Sequence, residues 1–292
     1  MTIETSEDAA PETPRLFGVP DEPAPKFKLG WKGVHDEDKK VLSARSHLFG
    51  APLLPRNMPR QAQDLLPYAR VLGKRDQGNS SECVGYGNTN AAYIRLCVLG
   101  FNPALLSAHA LYTLARMMSR TDKSKPLYDD GTYPYFAIKA MSKFGIPPEA
   151  VCPSPDSKHF DYGAINDELS IDTVSKASSF KVTRYARIDT DGEDRILDVK
   201  NALVQKFPVS FGTTVSHQWM NYDGGIFKPA SENMVGGHEM CIVGYTEDEE
   251  HGTIFDILNS WGEEWGEGGL GRVPAKFLTE NGADSFYAFH VG

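Results

Sequence analysis

The sequence predicts an α+β fold with two lobes, because its apolar spacing changes character along the chain. Between about residues 64 and 160, apolar side chains recur at the spacing of amphipathic helices. From about residue 178 onward, short β-branched and aromatic runs bounded by turn residues replace that pattern. A helical half followed by a strand-rich half is typical of an α+β protein, and we expect a cleft where the two lobes meet.

The helical half contains three predicted helices. Leu111, Leu114 and Met118 lie at i, i+3 and i+7 within the second helix, and the third helix stops at a pair of prolines. The first helix contains Gly85 and Gly87, which disfavour an isolated helix, so tertiary packing must hold it. The predicted helices span residues 83–98, 102–120 and 134–144.

The second half contains five predicted strands and one short helix. The predicted strands cover residues 179–187, 209–214, 238–245, 253–258 and 285–291, and the helix covers 195–206. The helix ends before Pro208, which cannot continue it. We therefore expect a sheet made largely from the last 110 or so residues.

Composition and charge exclude several classes of function. The 292 residues include 30 basic and 39 acidic side chains, a net charge of −9, and 40% are hydrophobic. An acidic chain argues against nucleic-acid binding, and no run approaches the roughly 20 apolar residues that cross a bilayer. The first residues lack the basic and apolar regions of a secretory signal. We expect a protein that is cytoplasmic, or exported without a standard signal, and not membrane-bound.

Residues 1–53 form a predicted N-terminal extension, separate from a main domain at 54–292. Its first 25 residues carry six acidic side chains, one arginine and five prolines, so they cannot fold alone. We expect them to be extended, disordered or laid over another surface, with Trp31 and the pair Leu48-Phe49 as anchors.

The four cysteines, Cys83, Cys97, Cys152 and Cys241, are too few for a disulfide scaffold in a chain of this length. None lies in a CxxC pair, and no cysteine–histidine cluster has zinc-ligand spacing. No metal or cofactor is expected.

Three patches carry the residue types of nucleophilic thiol catalysis. Cys83 begins a predicted helix after a polar loop that contains Gln77, and the free N–H groups at a helix start favour a thiolate. His238 opens an apolar strand after two glycines, and Asn259 follows a later strand. Such catalysis needs a thiolate, an imidazole that moves protons and a group that orients the imidazole.

These patches resemble the papain-like, cathepsin-type cysteine peptidases. The matching stretches are GGIF at 224–227, GGHEMCIVGY at 236–245, LNSWGEEWGEGGLGRV at 258–273 and DGTYP at 130–134. The histidine and asparagine follow the cysteine by 155 and 176 residues. The resemblance covers residues 54–292, and the length and N-terminal arm point to the bacterial branch. It implies a papain-like fold, with a helical left lobe mainly at 64–160 and an antiparallel, barrel-like right lobe mainly at 178–292.

The resemblance also implies a role for each catalytic residue. Cys83 would be the nucleophile, with a lowered thiol pKa, and His238 the acid and base of an endopeptidase. Asn259 would orient the imidazole, and Trp261 would shield their hydrogen bond from water. Gln77 would donate to the oxyanion together with the backbone N–H of Cys83.

The same resemblance places the substrate. Gly131, Thr132 and Tyr133 would bind the substrate backbone and wall the pocket for the second residue before the scissile bond. Asp284 would lie at the floor of that pocket, and we hypothesise that it admits Arg or Lys. Trp261 completes the expected substrate-binding residues. The expected partners are peptide or protein substrates and a proteinaceous cysteine-protease inhibitor.

Two departures and two alternatives accompany this interpretation. Ser80 stands where the family has a disulfide-bonded cysteine, and Val84 replaces an aromatic residue. The helical motif of long pro-segments is not found in residues 1–53, although that extension is expected to lie over the cleft. The same scaffold could serve as a catalytically quiet binding module, or the enzyme could transfer its acyl group to an amine as a transpeptidase.

Overall fold

The computed structural model describes residues 26–43, 55–229, 233–280 and 282–292. The acidic tail at 1–25, the Leu48-Phe49 anchor and the boundary near residue 53 lie outside the described residues. Trp31, the other predicted anchor, lies within them.

The helical lobe confirms the three predicted helices. Its helices are α1 at Leu66–Leu72, α2 at Cys83–Val98, α3 at Ala108–Ser119 and α4 at Pro134–Lys143. Helix α2 has the predicted bounds. Helix α3 begins six residues later than predicted, because the side chain of Ser107 caps it by accepting from the backbone N–H of Ala110.

The second lobe is an antiparallel sheet. Its strands are β1 at Gln61–Ala62, β2 at Val182–Ile188, β3 at Val209–Ser216, β4 at Met234–Asp248, β5 at Gly252–Leu258, β6 at Leu270–Pro274 and β7 at Asp284–Val291. The strand order is β2-β7-β3-β4-β5-β6, and β1 pairs with β4. Helices α5 at Ile171–Ser175, α6 at Gly192–Val204 and α7 at His217–Met220 complete the lobe. The five predicted strands are confirmed, whereas β1 and β6 were not predicted.

The contact between the lobes positions the site. Helix α2 packs on strand β4, and almost all its residues are buried. Cys83 therefore begins a helix held from several sides, while His238 lies on the strand against which that helix packs. Asn259 directly follows β5, the neighbour of β4. In the described parts of the chain, no helix has the length and apolar character needed to cross a membrane.

Candidate active site

His238 and Asn259 form a close pair. The imidazole Nε2 lies 2.7 Å from the amide oxygen of Asn259, which also accepts from the backbone N–H of Ser260. Because that oxygen is an acceptor, Nε2 carries the proton and Nδ1 keeps its lone pair. The ring of Trp261 stacks on the imidazole at 4.3 Å between centroids. Asn259 thus holds the imidazole of His238 by a hydrogen bond to Nε2.

Cys83 lies at the first turn of α2 with no exposed surface. Burial raises the pKa of its thiol to about 12, although the backbone amides of Glu239 and Gly30 favour the thiolate. The amide of Glu239 is the one that follows His238 along β4, so the thiol lies next to the histidine's strand. The expected lowering of the thiol pKa does not hold in this arrangement, because water is excluded from the sulfur.

His238 is equally buried, and burial lowers the pKa of its imidazole to about 4. Its Nδ1 makes no hydrogen bond within the described part of the chain. Burial thus disfavours the charged form of both groups, and the imidazole Nδ1 is not hydrogen-bonded to the Cys83 thiol.

Gln77 is held from both ends of its amide. Its Oε1 accepts from the hydroxyl of Ser260 at 2.8 Å, and its backbone N–H donates to the carbonyl of the same serine at 2.9 Å. Its Nε2 donates to the carbonyl oxygens of Ser80 and Lys28, at 2.7 and 3.0 Å. The serine thereby directs the N–H groups of Gln77 away from itself, and one of them reaches a carbonyl of the N-terminal segment.

Residues 26–43, here called the arm, run over these groups. The backbone of Trp31 forms a parallel bridge with Thr132 and donates its N–H to the carbonyl of Gly237 at 3.1 Å. On either side of that bridge, the Gly30 carbonyl accepts from Thr132 and the Lys32 N–H donates to Thr132, at 2.9 and 3.1 Å. Both backbone groups of Thr132 are therefore engaged by the arm.

Side chains of the arm add further contacts. Phe27 stacks on Trp261 with centroids 4.4 Å apart, and His35 meets the ring of Tyr133 edge to face at 5.1 Å. Two ion pairs flank the bridge, Lys28–Asp129 at 2.5 Å and Lys32–Asp130 at 2.9 Å. Of the predicted substrate residues, the arm thus contacts Gly131, Thr132, Tyr133 and Trp261.

Asp284 begins strand β7, and its carboxylate is engaged within the protein. It lies 2.6 Å from the guanidinium of Arg187. The arm's Asp38 is buried nearby, where the hydroxyl of Tyr287 donates to it. Burial raises the pKa of Asp38, and Asp284 adds to that rise while Arg187 opposes it. The pocket that is predicted at Asp284 to accept a basic substrate side chain therefore already contains Arg187.

A buried acid–imidazole pair lies directly behind the cysteine. Glu82, the N-cap residue of α2, has no exposed surface and lies 2.7 Å from Nδ1 of His109. Burial raises the pKa of this carboxyl, and the hydrogen bond from His109 opposes the rise. The other carboxyl oxygen has no hydrogen-bond partner in the described structure. The pair fixes the residue that precedes Cys83.

The sequence interpretation missed Ser260 and Glu239. Ser260 lies inside the LNSWG stretch, but nothing in that stretch shows that its hydroxyl points to Gln77. Glu239 is a charged residue in an otherwise apolar strand, which is a visible signal, and the structure buries it completely. In the described ranges, no group of three or more His, Cys, Asp or Glu side chains is arranged to hold a metal ion.

Comparison with known families and proteins agrees with this geometry. Residues 68–279 match the model of the papain family of cysteine proteases. An uncharacterized peptidase C1-like protein of Acanthamoeba polyphaga mimivirus is 31% identical over 231 residues, which are 75% of this chain and 70% of that protein. The probable cysteine protease RDL3 of Arabidopsis thaliana is 32% identical over 130 residues, so the match spans 41% of this chain and about one third of that relative.

Solved structures share the fold. The chain is similar to xylellain, a cysteine protease from Xylella fastidiosa, with a TM-score of 0.75 and 24% identity over 93% of this chain and 98% of the other. It is also similar to the bromelain protease from Ananas comosus, solved with the inhibitor E64, with a TM-score of 0.57 and 18% identity over 79% and 98% of the two chains. At these identities the likeness establishes the two-lobe fold.

Proposed function

The chain belongs to the papain family of cysteine proteases, and we propose that it hydrolyses peptide bonds through an acyl-enzyme on Cys83. The observation that carries this assignment is the His238–Asn259 pair, which leaves Nδ1 of His238 without a hydrogen bond in the described structure. The next residue along the same strand, Glu239, brings its backbone amide to the Cys83 thiol, so the imidazole and the thiol are neighbours. A proton can pass from the sulfur to that nitrogen once the two atoms come together.

In the first step, the Cys83 thiolate attacks the carbonyl carbon of the scissile bond. The carbonyl oxygen becomes an oxyanion, which the Nε2 of Gln77 and the backbone N–H of Cys83 stabilise. The protonated His238 then gives its proton to the leaving amine, and the carbon–nitrogen bond breaks to leave a thioester.

In the second step, neutral His238 takes a proton from water, which attacks the thioester. Collapse of this second tetrahedral intermediate breaks the carbon–sulfur bond, releases the acid and returns the proton to the Cys83–His238 pair. Asn259 keeps the imidazole aligned through both steps, and Trp261 keeps that hydrogen bond dry.

A substrate would bind where the arm now lies. Its backbone would take the N–H and carbonyl of Thr132, and its side chains would meet Gly131, Tyr133 and Trp261. We assign residues 54–292 to the peptidase domain and residues 1–53 to an extension that blocks it. A proteinaceous inhibitor would have to displace the arm from these same contacts.

The test is labelling of one thiol combined with product analysis. An epoxide-type thiol inhibitor should modify Cys83 alone and abolish hydrolysis, and Cys83→Ser should lose both label and activity, by about 10⁴-fold or more in kcat. Cys97→Ser, which removes a thiol remote from the site, is the matched control and should keep both. Hydrolysis that survives Cys83→Ser would overturn the assignment.

The same assay separates hydrolysis from acyl transfer. With a nucleophilic amine present, a protease gives mainly the free acid, whereas a transpeptidase gives mainly the amide. A protein that bound peptides without either product would be a binding module.

A further inference from the structure

A single carboxylate joins the two loops that border the cleft. Asp129 lies between α3 and α4, shortly before Thr132, and its side chain is 7% exposed. Its Oδ1 accepts from the backbone N–H of Ser81 at 2.9 Å, and its backbone carbonyl accepts from the Ser81 hydroxyl at 3.1 Å. Asp129 therefore ties the loop that bears Gly131 and Thr132 to the loop that leads into Cys83.

The hydroxyl of Tyr112 carries this link to the substrate-binding residues. It donates to Oδ1 of Asp129 at 2.9 Å and accepts from the backbone N–H of Gly131 at 3.0 Å. Tyr112 has no exposed surface, so water does not compete for these bonds. Gly131 has a positive φ of 91°, a conformation that glycine adopts without steric cost, and Thr132 follows it directly. The position of Thr132 thus depends on the Tyr112 hydroxyl.

Helix α3 holds both Tyr112 and the backbone next to Asp129. The Arg116 guanidinium lies over the Tyr112 ring, 4.0 Å from its centroid. Its Nη1 donates to the backbone carbonyl of Tyr128, the residue before Asp129, at 3.0 Å. Because Arg116 lies one helical turn after Tyr112, the same face of α3 fixes both ends of the link.

No disulfide supports this junction. All four cysteines are free, and Ser80 stands where the papain-like family has a disulfide-bonded cysteine. The hydroxyl of Ser80 donates to the carbonyl of Gln77 at 2.8 Å, within its own loop. The hydrogen bonds of Asp129 therefore join the two loops where a covalent link is missing.

We propose that Tyr112 and Asp129 are positioning residues of the peptidase, which hold the backbone of Thr132 in the place where it pairs with the substrate. Both act through neighbouring backbone groups and touch no reacting atom. This inference rests on the proposed peptidase function. Oδ1 of Asp129 makes both side-chain hydrogen bonds, whereas Oδ2 pairs with Lys28 of the arm at 2.5 Å. The positioning therefore depends on an oxygen acceptor rather than on the negative charge.

The test compares two substrates that differ by one N–H. One is a blocked peptide with phenylalanine as the second residue before the scissile bond, where the backbone N–H would donate to the carbonyl of Thr132. The other is its depsipeptide, in which an ester oxygen replaces that N–H. The arm competes equally with both substrates, so its occupancy cancels in the ratio of their kcat/KM values, as does any loss of folded enzyme. We expect the full-length wild type to favour the N–H substrate by about 5-fold or more.

Removing the Tyr112 hydroxyl should lower this ratio. In Tyr112→Phe the Gly131 N–H loses its acceptor and Thr132 shifts, so the ratio should fall by about 3-fold or more. Tyr245→Phe is the matched control, because the Tyr245 hydroxyl also donates to a backbone carbonyl, that of Pro59 at 2.7 Å, but does so where β4 pairs with β1. It should keep the wild-type ratio.

Substitution of Asp129 separates the acceptor from the charge. Asp129→Asn keeps an acceptor oxygen for both hydrogen bonds but loses the ion pair with Lys28, whereas Asp129→Ala loses both functions. The ratio should stay within about 2-fold of the wild type in Asp129→Asn and should fall in Asp129→Ala as it does in Tyr112→Phe. This comparison also decides the question if Tyr112→Phe has no thiol that the epoxide inhibitor can titrate.

Each result has one meaning. A wild-type ratio near 1, or an unchanged ratio in either Tyr112→Phe or Asp129→Ala, overturns the positioning role. A fall of the same size in Tyr245→Phe or Asp129→Asn also overturns it, because both variants keep the positioning bonds. A wild type that neither reacts with the epoxide nor cleaves either substrate overturns the proposed function instead.

Discussion

The side-chain amide of Gln77 donates to the backbone carbonyl of Lys28 at 3.0 Å. The group expected to stabilise the oxyanion is therefore bound to a carbonyl oxygen of the same chain. The arm also uses both backbone groups of Thr132 and covers Trp261 with Phe27. The arm thus already occupies groups that we propose for the substrate, and we expect activity to depend on how readily the arm leaves.

The first prediction concerns Gly30, where the backbone of the arm packs against the loop that precedes Cys83. A Cβ at Gly30 would overlap the carbonyl oxygen of Ser81, so Gly30→Ala should lift the arm, including the Gly30 amide that contacts the Cys83 thiol, while every catalytic side chain stays unchanged. Overpacking typically costs 1–3 kcal/mol, so we expect kcat/KM to rise by about 5- to 150-fold. Hydrolysis of a short fluorogenic peptide, normalised by thiol titration, measures the change.

Gly33→Ala is the control for this prediction. Gly33 lies in the same arm, and a Cβ there meets nothing within 4 Å. Its positive φ of 87° costs the alanine about 1–2 kcal/mol, so Gly33→Ala controls for strain within the arm, and its gain in kcat/KM should stay below that of Gly30→Ala, whose Cβ overlaps a carbonyl oxygen. Equal kcat/KM for wild type and Gly30→Ala would show that the arm does not compete with substrate.

The second prediction concerns the reactivity of Cys83 with pH. In the structure, where the backbone of the arm's Gly30 contacts the sulfur, burial raises the pKa of the Cys83 thiol to about 12, so the docked form holds a proton that an exposed thiol loses near pH 8.5. The docked form consequently loses stability as pH rises from about 8.5 toward 12. Iodoacetamide should modify Cys83 slowly at pH 7 in the wild type, and faster as pH rises.

Gly30→Ala should change the shape of that profile. With the arm released, water reaches the cysteine and histidine, and the thiolate should form with a pKa below 8.5. Alkylation should then reach a plateau within pH 5–8, a range where the wild type stays slow. Coincident profiles for the two proteins would mean that the arm does not control the thiol.

The fold could be predicted where local signals are strong. Helix α2 was predicted at its observed bounds, because a polar loop precedes Cys83 and a glycine follows the last turn. Strand β6 is not predicted because the glycine-rich stretch at 266–271, which overlaps its first two residues, is typical of a turn, and because its pairing with β5 depends on a distant partner. A short strand that is stabilised mainly by hydrogen bonds to a distant strand shows little periodicity in its own sequence.

Part of the candidate site could likewise be predicted from the sequence, and part could not. Residue type and order are enough to predict the chemistry of the motifs that contain Cys83, His238 and Asn259. The path of the arm cannot be predicted from the sequence, because its bridge to Thr132 is formed by backbone groups, which do not depend on residue type. Sequence could suggest that Trp31 was an anchor, but its pocket is formed by glycines on two strands, at positions whose register only the structure gives.

The third prediction concerns Ser260, which acts on the oxyanion donor from behind. Its hydroxyl donates to Oε1 of Gln77, so Ser260→Ala frees the amide to rotate. A hydrogen bond of this kind contributes about 0.5–1.5 kcal/mol, so kcat should fall by about 2- to 12-fold with little change in KM. Steady-state kinetics in the Gly30→Ala background measures both constants.

A double mutant separates this role from a general loss of structure. Removing Gln77 itself should lower kcat by about 10²–10³-fold. If the serine acts through the glutamine, adding Ser260→Ala to Gln77→Ala should cost nothing more. Losses that add in full would show that Ser260 contributes to catalysis independently of Gln77.

The fourth prediction concerns the acid behind the nucleophile. His109→Ala would leave Glu82, at the N-cap position of α2, buried with no hydrogen-bond partner for either carboxyl oxygen. An unpaired buried carboxyl costs about 3 kcal/mol or more, so Tm at pH 7 should fall by about 6 °C or more.

His251→Ala is the matched control: its pair with Asp248 is partly exposed, so it should cost less than about 1 kcal/mol. Adding Glu82→Gln to His109→Ala should recover part of the loss, because a neutral amide is cheaper to bury than an unpaired carboxylate. Equal Tm losses for His109→Ala and His251→Ala, measured by thermal unfolding, would show that the Glu82–His109 pair does not stabilise the start of α2.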